Sequence, residues 1–93
     1  MATLLSTQTT DTTGTGAAHT GPCSVHVRGT LAGAKVAIEA SDEDETASYS
    51  PAGLKSEVLA NGWRSFDIQG DYFLRAKLIG ATAATSVTVV TTQ

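Results

Sequence analysis

"CSVHVRGTLAGAKVAIEA", residues 23–40, decides the fold. Cys23, Val25 and Val27 alternate with Ser24, His26 and Arg28, and after a glycine-bounded break Val36 and Ile38 alternate with Lys35 and Glu39. A period of two sends the two sets to opposite faces of a pleated chain, so each run reads as a half-buried strand. Between them "GTLAG" (29–33) has glycine at both ends and predicts a hairpin that pairs the two strands antiparallel.

The same period continues outward. "SDEDE" (41–45) and "TASYSPAG" (46–53) read as a solvated loop or a short, irregular edge strand, because Pro51 has no N–H to give to a ladder. In "SEVLANGWRSFDI" (56–68), Asn61-Gly62 is the pair favoured where both turn residues take positive φ, which predicts a second hairpin with a type I′ turn. "YFLRAKLIG" (72–80) sets Tyr72, Leu74, Ala76 and Leu78 against Arg75 and Lys77, and "ATAAT" (81–85) leads into "SVTVVTT" (86–92) as a third hairpin. Helical spacing occurs only in "PAGLKSEVLA" (51–60), through Leu54, Val58 and Leu59, enough for a single turn before Asn61. About seven short strands bounded by Gly, Pro or Asn predict an all-β fold, a small antiparallel β-sandwich or partly open barrel over residues 23–93. Its expected core is Val25, Val27, Val36, Ile38, either Trp63 or Phe66, Ile68, Tyr72, Leu74, Leu78, Val87 and Val89.

Composition sets the limits on function. Ninety-three residues, 41% hydrophobic and 16% charged, make one domain near the lower size limit for independent folding. Burial of about 1.5–3 kcal/mol per large side chain only balances chain entropy at this size, which favours association with other copies or a larger partner. Six Lys and Arg against nine Asp and Glu, a net charge of -3, do not supply the clustered cations of a nucleic-acid binder. A single cysteine allows no internal disulfide, and no apolar run reaches the length of a membrane span or a signal peptide.

No constellation has the spacing of a catalytic, cofactor or metal site. Cys23 and His26 lie on opposite faces of one strand and cannot converge on zinc, even with His19 nearby, nor act as a nucleophile–base pair. "SDEDE" lacks the central glycine and distant glutamate of a helix-flanked calcium loop, and "GTG" (14–16) has no following lysine or helix to cradle a phosphate. Trp63, Arg64, Tyr72 and Arg75 could form an aromatic and basic surface for a sugar ring, or divide into core aromatics and outward arginines.

Residues 1–22, rich in threonine, glycine and alanine, form either the first strand of the sandwich or an extended N-terminal arm. An arm of some twenty residues reaches roughly 70 Å. Its near lack of charge suits pairing along another chain's sheet edge, with Leu4 and Leu5 anchored in an apolar recess and Thr7, Thr9 and Thr10 as further partner contacts.

"SVHVRGTLAGAKVAIEAS" (24–41) and "GDYFLRAKLIGATAATSVTVV" (70–90) together resemble the small β-sandwich proteins that decorate or cement the capsids of tailed bacteriophages, and more loosely modules of tails and fibres. The resemblance implies a non-enzymatic virion protein, made in the host cytoplasm, that binds the major capsid protein on the outside of the shell and stabilises it. It implies many copies and a homo-oligomer, with a trimer expected. The alternative is a receptor- or carbohydrate-binding module of a tail or fibre. No functional residue is carried over, because such families share a pattern and not a site.

Overall fold

The computed structural model describes residues 2–52 and 57–92. Ten strand segments follow one another: β1 (Ala2–Gln8), β2 (Thr12–Thr13), β3 (Ala17–Thr20), β4 (Cys23–Thr30), β5 (Lys35–Ser41), β6 (Ser50–Pro51), β7 (Glu57–Val58), β8 (Gly62–Phe66), β9 (Asp71–Ile79) and β10 (Ser86–Thr92). One sheet, sheet A, has the order β1-β10-β4-β8; the other, sheet B, runs from β2 and β3 through β9 and β5 to β6 and β7. Every ladder is antiparallel. The fold is an all-β sandwich of two open sheets.

The pairing has a simple order. β1 pairs with β10, β2 and β3 with β9, β4 with β8, and β5 with β6 and β7, so the chain is one long ribbon doubled back at residues 42–49. Successive rungs of that ribbon alternate between sheets A and B. Rolling the ribbon also sets β10 beside β4 and β9 beside β5. With β2–β3 and β6–β7 each taken as one interrupted strand, this is the eight-strand jelly roll.

This topology corrects all three expected hairpins. β4 and β5, which flank "GTLAG", lie in different sheets, as do β7 and β8 around Asn61-Gly62, and β9 and β10 around "ATAAT". These connections arch from one sheet to the other. Asn61 does not take positive φ; its side-chain Nδ2–H donates to the Gly29 carbonyl at 2.6 Å and tethers one arch to β4. Adjacent positive φ values occur instead at Ala32 (50°) and Gly33 (90°), closed by an Ala34 N–H to Leu31 carbonyl bond of 3.0 Å.

The helical turn expected in 51–60 gives way to strand at Ser50–Pro51 and Glu57–Val58, while residues 53–56 lie outside the described ones. Val58 is fully buried opposite Val36, a sheet position that its β-branch suits. A short 3-10 turn sits at Thr46–Ser48. Pro51 is on the edge of sheet B, paired with Glu39, as an irregular edge strand requires.

Between the sheets lie Val25, Val27, Val36, Ile38, Phe66, Tyr72, Leu74, Leu78, Val87 and Val89, all buried. Phe66 takes the inward place and Trp63 stays 54% exposed, because β8 alternates from its first residue; Ile68 is only partly buried. Leu4 and Leu5 enter the same core, so residues 2–8 form the outermost strand of the chain's own sheet A. Two consecutive inward side chains require a break in the alternation, and the β1–β10 ladder shows register shifts on both sides of Leu5. His19 pins the sheets together. It projects from β3 to Thr91 of β10, with Nε2 2.7 Å from Thr91 Oγ1 and Nδ1 2.9 Å from the Ala17 carbonyl. With the proton on Nδ1, that nitrogen donates to Ala17 and Nε2 accepts from the threonine hydroxyl, so both ring nitrogens are satisfied inside the sandwich.

Candidate functional site

The outer face of sheet B carries a polar cluster. Glu39 and Arg75 are directly opposed across the β5–β9 ladder, and Arg75 Nε–H donates to Glu39 Oε1 at 2.7 Å. Tyr49 lies over the guanidinium, 4.1 Å from Arg75 Cζ to the ring centroid, and its hydroxyl donates to Asp44 Oδ1 at 2.8 Å. A charge-assisted bond sheltered by an aromatic ring is worth more than an exposed ion pair, whose net contribution is about 0–1 kcal/mol. Burial, then the bond to the Asp44 carboxylate, push the Tyr49 phenol up to about 12.

Gly16 explains part of "GTG". A Cβ there would collide with the Tyr49 hydroxyl and the Asp44 carboxylate, so the glycine is needed for close approach and not for phosphate. A cavity of about 400 Å³ opens between this segment and β9, lined by Thr13, Thr15, Asp44, Tyr49, Arg75 and Lys77 among others. Arg75 and Asp44 are each already tied to Tyr49, one beneath its ring and the other at its hydroxyl, and the cluster holds the 42–49 loop against sheet B.

The aromatic and basic surface weighed from the sequence does not assemble. Tyr72 is in the core, where it stacks on His19 at 5.9 Å and donates to the Gly21 carbonyl. Arg75 is on the outside of sheet B and Trp63 on the outside of sheet A. Arg64 donates from Nη1 to the Trp63 carbonyl at 2.9 Å, and its buried Nε has no partner among the described residues. What remains on sheet A is a row across the ladders, Thr3, Val90, His26 and Trp63. His26 stacks face to face on the Trp63 indole, with centroids 4.3 Å apart and planes within 5°. Ser24 and Ser65 form the next pair on that face, their hydroxyls 3.3 Å apart, and exposed Arg28 lies on the other side of His26.

Cys23 is buried in the core while His26 faces outward. Among the described residues, no three His, Cys, Asp or Glu side chains converge as a metal site. Of the N-terminal contact residues, Leu4 and Leu5 are buried within this chain, whereas Thr7, Thr9 and Thr10 are exposed along and just beyond β1. The first two are therefore committed to the chain's own core. The roles of His19, Tyr49 and Asp44 were not read from the sequence. Only the isolation of His19 among small residues in "AAHT" (17–20) could have marked it as inward. No protein-family model, curated protein or solved structure matches the chain.

Proposed function

We propose that this chain is a non-enzymatic virion structural protein that binds the outside of a phage capsid and stabilises it. One observation carries the reading: the inward histidine and the polar cluster on the outer face of sheet B are engaged in holding the sandwich together. His19 joins the two sheets, Glu39 and Arg75 brace β5 against β9, and Tyr49 with Asp44 clamps the 42–49 loop. That investment favours a rigid body whose work is done at its surface. The capsid enters through the resemblance of residues 24–41 and 70–90.

The shell contact belongs at the β1 edge of sheet A. There the exposed Thr7, Thr9 and Thr10 border a strand paired on one side only, to which an extended segment of the major capsid protein can add. Quantitative mass spectrometry of purified virions tests the assignment: copies in proportion to the major capsid protein are expected, and a handful per particle would place the chain in a tail or fibre. Replacing Thr7, Thr9 and Thr10 together by lysine should abolish shell binding while leaving the fold intact. The carbohydrate-binding alternative draws on the exposed indole of Trp63; a saturable change in tryptophan fluorescence on titration with oligosaccharides would install it instead.

A further inference from the structure

We propose that the molecule associates with copies of itself head to tail, the Trp63 face of one copy receiving the acidic end of the next. The two surfaces are complementary and lie apart on the same molecule. The four strands of sheet A contain two arginines, Arg28 and Arg64, and no carboxylate. On their outer face the stacked Trp63–His26 pair stands beside exposed Arg28, and Leu59, 71% exposed, lies in the arch that leads into β8. Leu59 and Trp63 are the exposed large hydrophobic side chains among the described residues.

The carboxylates collect elsewhere. Of the nine Asp and Glu, Asp42, Glu43, Asp44 and Glu45 follow β5, and Asp67 and Asp71 flank the β8–β9 connection. Both segments border one cavity of about 340 Å³, lined by Asp42, Ser48, Gln69 and Asp71 among others, and so form the same end of the sandwich. All six acidic residues there are exposed. At the opposite end Glu57 pairs with Lys35 at 2.8 Å, and Asp11 accepts the Ala81 N–H at 2.7 Å, leaving that end without a comparable acidic cluster.

This polarity selects the geometry. A chain of net charge -3 disfavours contacts between like ends, and the acidic end of one copy against the Trp63 face of the next sets carboxylates against Arg28 while covering the indole. Such a heterologous contact closes into a ring when its rotation permits and otherwise extends as a filament. It uses the β8 side of sheet A and leaves the β1 edge free. It therefore goes beyond the capsid reading and stands or falls without it.

Sedimentation velocity of the full chain tests the proposal. Association that rises with concentration in low-salt buffer and weakens about tenfold or more in high salt is expected, because exposed charges are screened within about 10 Å at 0.1 M. Two variants separate the faces. Trp63→Ala with Arg28→Glu removes the receiving face; Asp42→Asn, Glu43→Gln and Glu45→Gln remove the acidic one while sparing Asp44 and its tyrosine. Each alone should be monomeric, and an equimolar mixture should give a 1:1 heterodimer and nothing larger. All these side chains are exposed, and unchanged thermal unfolding verifies that the fold persists, with Arg28→Glu alone as the milder variant. A wild-type chain monomeric throughout, a variant that associates as the wild type does, or a mixture that stays monomeric would each overturn the proposal.

Discussion

At Ala32 the backbone takes φ 50° in an exposed position, and Gly33 follows at 90°. An L-residue with a Cβ is strained there by about 1–2 kcal/mol, whereas asparagine adopts the region readily. Ala32→Asn should therefore raise stability by about 0.5–1 kcal/mol, read as a higher midpoint in thermal unfolding. Tyr49 gives a test at the other end of the pH scale. Its phenol ionises at about 12 in the folded protein against 10.0 in an unperturbed side chain, so the folded state holds the proton more tightly. That contribution is complete below pH 10 and is lost as the pH rises from 10 towards 12. Alkaline absorbance titration of the wild type against Tyr49→Phe isolates this group, and a difference midpoint near 10 would show that the phenol is neither sheltered by burial nor clamped by Asp44. The sequence displayed both residues, but the partner that gives each its property comes from a distant segment or from the path of the arch.

At the scale of the element, β1 decides how the N-terminal segment is understood. Leu4 and Leu5 are 4% and 3% exposed, and burying a leucine side chain contributes about 1.5–3 kcal/mol. Residues 2–20 also supply β2, β3 and His19, the side chain that joins β3 to β10. Deleting residues 2–20 should abolish cooperative folding, seen as loss of the thermal transition in circular dichroism. A truncated chain that still folds would return the segment to the role of an arm. The alternation of β4, β5, β9 and β10 was legible because each runs through the centre of its sheet with one face inward. The peripheral elements were the less legible ones. β2, β6 and β7 are two residues long and hold no period, and β1 breaks its own period to bury two leucines in succession.

For the whole molecule, the quantity that matters is which strand lies beside which. Ala2 pairs with Thr91, His19 with Tyr72, His26 with Trp63 and Val36 with Val58, rungs that shorten steadily towards the tip at 42–49. Local turn chemistry does not carry that order. "GTLAG" and "ATAAT" are equally compatible with a hairpin within one sheet and an arch between two, and the choice is made by burial of both inner faces at once. The central strands, most of their inward residues and the all-β class were determined by the sequence alone, since a period of two and β-branched composition act within a few residues. The jelly-roll order, the His19 link, the Tyr49–Arg75–Glu39 cluster and the separation of an aromatic face from an acidic end were decided only by the tertiary structure. Each of these joins residues far apart in the chain, and it is the rolling of the doubled ribbon, driven by closure of a single apolar core, that sets them side by side or at opposite ends.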